Sequence, residues 1–111
     1  MNRISPLMIL AILTMGCGIS EEKFNEKYAE AYCEWLENCG KLSEQFGTPE
    51  TCITNREIFA DEVLSPEECT YDKVSAKDCI KDIEDNESCD VTSPLPDSCQ
   101  DIASCDGDTG Q

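Results

Sequence analysis

The chain contains no histidine among its 111 residues. This absence excludes Ser-His and Cys-His nucleophilic systems and removes the commonest metal ligand. Zinc bound by cysteines alone would require C-x₂₋₄-C pairs, and the closest spacings are Cys33 to Cys39 and Cys99 to Cys105. We therefore expect no catalytic residue, no metal and no cofactor, and the sequence predicts a protein that is not an enzyme.

Aromatic residues are scarce, with three Phe, three Tyr and one Trp. Deep ligand pockets are lined mainly by apolar and aromatic side chains, and this chain has few of them. A small hydrolase that uses a pair of carboxylates is therefore kept only as an alternative. Packing in the core is favoured for Trp35, Phe24 and Tyr28 over an exposed recognition patch.

Basic residues are also few: 8 Lys and Arg stand against 24 Asp and Glu, for a formal net charge of −16. A field of this sign repels nucleic acid and anionic lipid head groups, and it favours basic surfaces or cations. We therefore expect no nucleic-acid partner, and name a basic protein or diffuse cations as candidates. A solvated acidic surface without a partner is the simpler interpretation.

Long apolar runs are missing. The longest, Leu7 to Leu13, is far shorter than the roughly 20 residues of a membrane-spanning helix, so no transmembrane helix is predicted. Arg3 precedes this run and the small residue Gly16 follows it, which is the pattern of a signal peptide. We expect residues 1–16 to be removed.

The segment Thr14-Met15-Gly16-Cys17 resembles a bacterial lipobox, with Thr14 where that family usually has Leu. The resemblance implies cleavage before Cys17, a lipid on its thiol, and a membrane anchor in the cell envelope, periplasmic or on the outer surface. Residues 17–19 would then be the attachment site and a short tether. The alternative is ordinary cleavage after Gly18, which would release a soluble, extracellular, disulfide-rich effector beginning at Ile19.

Cysteine is abundant, and either cleavage leaves an even set of eight to pair. An even set in a short exported chain is typical of a disulfide framework, here with up to four bridges. Two of the eight, Cys33 and Cys39, lie about 240° apart around one predicted helix and roughly 9 Å apart along it. Bridged Cα atoms lie within about 7 Å, so each is expected to bond elsewhere. The eight are Cys33, Cys39, Cys52, Cys69, Cys79, Cys89, Cys99 and Cys105.

Hydrophobic periodicity predicts helices. An amphipathic pattern runs from Ser20 to Cys39, and Thr48-Pro49 has the pattern of a second helix start. Asp72 is predicted to cap a third helix, and 97–105 could form a short fourth. Period-two alternation is nearly absent, so no sheet is expected. The predicted fold is all-α: a disulfide-stapled array of three to four short helices over 20–105, followed by a disordered acidic tail at 106–111.

The second half of the chain carries a further pattern, in which a Tyr-Asp pair precedes a helix that bears the next cysteine. It resembles uncharacterised cysteine-rich bacterial lipoproteins of the myxobacterial type. That resemblance implies an envelope lipoprotein and implies no activity. The residues that carry it are Cys69-Thr70-Tyr71-Asp72, Cys79-Ile80, Ser88-Cys89 and Pro96 before Cys99.

Overall fold

The computed structural model describes residues 18–105. The predicted signal peptide, Cys17 and the predicted acidic tail lie outside the described residues. Within these residues, five helices and two short strands follow one another. They are α1 Glu21–Asn38, α2 Leu42–Phe46, α3 Pro49–Phe59 continuing into a π-helix Ala60–Leu64, β1 Thr70–Tyr71, α4 Lys73–Glu84, α5 Asp97–Gln100 and β2 Ala103–Ser104.

Helix α1 forms where its apolar stripe predicts it. Phe24, Tyr28 and Leu36 are fully buried on one face, while glutamates and lysines occupy the other. Ser20 stands at the N-cap in an extended conformation, although its side chain makes no capping hydrogen bond. Beyond the helix, Gly40 has a φ of +68°, a conformation that glycine adopts without strain, and the chain turns away there.

Capping side chains begin α3 and α4 as the sequence predicts. Thr48 Oγ1 accepts a hydrogen bond from the Thr51 amide at 3.2 Å. The Asp72 carboxylate accepts from the amides of Val74 and Ser75 at 3.0 and 3.1 Å. These bonds, that from Ser75 first, hold the pKa of the Asp72 carboxyl below its ordinary value because they favour the charged form.

Two features differ from the prediction. Helix α2 was not predicted, because its five residues carry only Leu42 and Phe46 as apolar positions, too few to show a period. The predicted last helix stops at Gln100, and the chain then enters β2, which pairs antiparallel with β1 with Thr70 opposite Ser104. The expectation of no sheet was therefore wrong, although the observed sheet is a single pair of two-residue strands. Strands of this length are too short to show an alternating pattern in the sequence.

The core consists of two buried clusters, and α1 contributes residues to both. The larger joins α1 to α4, α5 and the π-helix, and the smaller joins α1 to α2 and α3. Trp35 is half-buried beside both, and its indole N–H donates to the Ser88 carbonyl at 2.9 Å. Phe24 and Tyr28 are buried as expected.

Four disulfides connect these elements, and the all-α, disulfide-stapled fold is confirmed. Cys33 and Cys39 bond to different partners, as their separation on α1 requires. One bridge ties α1 to α3, one ties the end of α1 to the loop after α4, one ties α4 to α5, and one closes the strand ladder. The pairs and their Cα separations are Cys33–Cys52 at 6.0 Å, Cys39–Cys89 at 5.6 Å, Cys79–Cys99 at 4.6 Å and Cys69–Cys105 at 4.4 Å.

Candidate functional site

The backbone that leads into α1 is fixed to the domain. The Ile19 amide donates to the Lys73 carbonyl at 3.2 Å, and the Tyr71 hydroxyl donates to the Ile19 carbonyl at 2.7 Å. Burial of that hydroxyl is the main cause that raises the pKa of Tyr71. The Ile19 side chain packs against the larger core cluster. The position two residues after Cys17 is therefore part of the folded structure and not a flexible leash.

Gly18 fits a place that no other residue fits without strain. Its φ is +135°, and a Cβ atom added there would lie 2.9 Å from both the carbonyl oxygen and the Cγ of Lys73. Side chains rarely adopt that conformation, and real Cβ atoms do not approach other atoms so closely. Gly18 can therefore pack closely against Lys73 at the start of α4 because it has no side chain.

An open groove of about 830 Å³ lies beside the residues that lead into α1, between α1 and α4. Half-buried Ile19 and Ile80 form its apolar part. Four lysines project from the two helices, in pairs spaced four residues apart, so each pair lies on one helix face. The charged lining residues are Lys23 and Lys27 from α1, and Lys77, Lys81, Glu84 and Asp85 from α4.

The charge on this face is opposite to that of the whole chain. Its four lysines are exposed, and a fifth, Lys73, packs its stem against Gly18. Among the acidic residues between 18 and 105, Glu84 and Asp85 line the groove. Lys81 forms an ion pair with Asp85 at 3.0 Å, and this bond raises the pKa of Lys81.

Three other lysines at this face are less firmly paired than Lys81. Lys27 lies 3.8 Å from Glu30, with both side chains about half exposed, an arrangement that contributes little energy. Lys23 and Lys73 make no ion pair within residues 18–105. The net charge on which the sequence prediction rested conceals this basic face, because Lys23 and Lys77 are 54 residues apart in sequence and meet only through folding.

A second notable cation, Arg56, packs among aromatic rings of α1 and α3. Its guanidinium carbon is 4.3 Å from the ring centre of Tyr32 and 4.1 Å from that of Phe59. One guanidinium nitrogen donates to the Tyr28 hydroxyl at 2.6 Å. Burial raises the pKa of Tyr28 to about 12, with the Arg56 hydrogen bond acting in the opposite direction.

A cavity of about 100 Å³ lies above this stack. Arg56 itself already occupies the faces of the rings, which is the position a bound cation would take in an aromatic cage. Its Nε is buried and has no hydrogen-bond partner among the described residues. We interpret Arg56 as a structural cation that satisfies the core hydroxyl of Tyr28.

Acidic side chains with shifted pKa values serve turns and caps. Asp90 accepts hydrogen bonds from the Thr92 hydroxyl at 2.6 Å and the Thr92 amide at 3.0 Å, and these lower the pKa of Asp90. Hydrogen bonds at the start of α4 lower the pKa of the Asp72 carboxyl in the same way. A general acid requires the opposite shift, so neither carboxyl is suited to that role. Within residues 18–105, no cluster of three or more His, Cys, Asp or Glu side chains is arranged to hold a metal.

The sequence-predicted site residues divide into two groups. Cys17, the predicted lipid attachment site, lies outside the described residues. The other eight cysteines are all oxidised in pairs, which is consistent with an extracellular or envelope location. No helix in residues 18–105 is long and apolar enough to cross a bilayer. Protein-family models, curated proteins and solved structures all give no match to this chain.

Proposed function

We propose that the protein is a non-catalytic cell-envelope lipoprotein, anchored through acylated Cys17, whose rigid domain serves as a binding or structural module at the membrane surface. The observation that carries the proposal is the pinned backbone at Ile19. Two residues span at most about 7 Å. A lipid on Cys17 would therefore hold the folded domain directly against the bilayer.

The way Gly18 fits the folded domain favours cleavage before Cys17 over cleavage after Gly18. Cleavage after Gly18 would discard a residue whose conformation and packing match the folded domain. Cleavage before Cys17 retains it. The disulfides support the same picture, because a domain at the outer face of a membrane experiences an oxidising environment in which such bridges persist.

Metabolic labelling tests the anchor directly. The full-length chain is produced in a bacterium that matures lipoproteins and is supplied with an alkyne-bearing fatty acid. We expect labelled protein in the membrane fraction for the wild-type chain, and unlabelled protein for Cys17→Ser. Ser20→Ala is the matched control, because Ser20 is exposed and makes no capping hydrogen bond.

Retention of label by Cys17→Ser, or unlabelled wild-type protein free in the medium, would contradict the proposal. In the second case, a mature chain that begins at Ile19 would establish the soluble secreted alternative. Ser20→Ala must label like the wild-type chain, which shows that a nearby substitution does not itself block processing.

A further inference from the structure

We infer that the lysine-lined groove between α1 and α4 docks onto anionic phospholipid head groups and so fixes which face of the domain meets the membrane. The inference deepens the proposed anchoring and rests on it for its setting. The groove opens beside Gly18, where the chain from Cys17 enters the domain. An anchor at Cys17 therefore places this groove, and no distant face, next to the bilayer.

Charge complementarity identifies the occupant. Exposed lysines from two helices surround an apolar floor made by Ile19 and Ile80. Long lysine side chains lay their stems along apolar surface and extend their ammonium groups to the polar boundary. Phosphate groups of anionic lipids are the partners that such an arrangement fits, and each lysine near an anionic bilayer strengthens binding about fivefold.

Carboxylates far from the groove oppose this contact only at long range, whereas those beside its lysines, such as Glu30, Glu84 and Asp85, act at short range. At about 0.1 M salt the Debye length is about 10 Å, which is about the diameter of one helix. Carboxylates on the far side of the helix array are therefore screened, while groove lysines in contact with head groups are not. At 0.01 M the Debye length reaches about 30 Å, so the net negative charge of the whole domain counts against binding.

Vesicle binding by the unacylated chain tests the inference separately from the anchor. The mature chain carrying Cys17→Ser is mixed with phosphatidylglycerol-containing or pure phosphatidylcholine vesicles, and the bound fraction is measured by sedimentation. We expect binding to the anionic vesicles alone, with a maximum near 0.1 M salt and weaker binding at both 0.01 M and 1 M. Because no lipid is attached, a failure of acylation in cells leaves this result unaffected.

Lysine-to-glutamine variants locate the binding surface. Lys23→Gln should weaken binding to anionic vesicles about fivefold, and Lys23→Gln with Lys27→Gln about 30-fold. Lys41→Gln is the matched control, since it removes one charge near the opposite end of α1 from Lys23, a helix about 27 Å long. The replaced groove lysines are exposed, so near-ultraviolet circular dichroism should stay unchanged.

Three results would overturn the inference: equal loss for Lys41→Gln and Lys23→Gln, equal binding to both kinds of vesicle, or no binding at any salt concentration. The last result, together with retention of an acidic envelope protein by the same lysines, would assign the groove to a protein partner instead. Loss of binding confined to the groove variants supports the lipid assignment.

Discussion

The bridge between Cys39 and Cys89 closes 50 residues, the longest loop of the four. In the chain-entropy account, joining a loop of that length stabilises the fold by about 4 kcal/mol. Cys39 is half-buried and Cys89 is exposed, so their removal leaves little cavity. The double variant Cys39→Ala/Cys89→Ala should therefore lose about 4 kcal/mol of unfolding free energy, or about 15–30 °C in melting temperature.

A second disulfide distinguishes the stability that comes from loop closure from the stability that comes from burial of the cysteines. Cys33 and Cys52 close a loop of 19 residues, which predicts about 3 kcal/mol. Both are buried, so their replacement by alanine adds a cavity cost of about 1 kcal/mol at each position. The two double variants should therefore be destabilised by similar amounts for different reasons. Urea denaturation of the unacylated mature chain measures both.

A loss below about 1 kcal/mol for Cys39→Ala/Cys89→Ala would contradict the stabilisation expected from loop closure. Loop closure would then not be what stabilises the fold. Full reduction provides the limiting case, because four bridges of about 3–4 kcal/mol each match the entire stability of a typical domain, about 5–15 kcal/mol. We expect the reduced chain to be unfolded at 37 °C.

Three further variants probe the core, a helix cap and the backbone that leads into α1. Arg56→Leu should cost about 1–3 kcal/mol by orphaning the Tyr28 hydroxyl, and Tyr28→Phe in the same chain should recover part of it in urea denaturation. Asp72→Asn should lower the melting temperature at pH 7 and have little effect only below the lowered pKa of the folded state, because the stabilisation is full above the ordinary carboxyl pKa and is lost as the pH falls through the lowered value. Gly18→Ala should speed hydrogen exchange of the Ile19 amide, because the added Cβ would clash with Lys73. Gly40→Ala should leave that exchange rate unchanged, because Gly40 has open space around it.

Local signals in the sequence predicted the long elements well. The stripe of α1 and the caps Thr48 and Asp72 are properties of neighbouring residues, so they can be identified without knowing the fold. Helix α2 and the two-residue strands escaped detection because elements of that length carry no measurable period. Their positions depend on the chain being held by Cys69–Cys105 and by packing against α1 and α3.

Features that depend on long-range contacts could not be predicted. The disulfide connectivity is one of 105 arrangements of eight cysteines, and only the exclusion of Cys33 with Cys39 followed from spacing. The basic groove was hidden by the net charge, since Lys23 and Lys77 become neighbours only when α1 packs on α4. The role of Gly18 was hidden too, because its close contact is with Lys73, far along the chain.

The intact mass of the mature protein purified from membranes tests the lipid anchor and the disulfide framework together. We expect a chain that begins at Cys17, carries the mass of its attached lipid, and is eight hydrogens lighter than the reduced form because four disulfides are closed. A mass that corresponds to an unmodified chain from Ile19 would contradict the anchor. A folded protein with the mass of eight free thiols would contradict the framework.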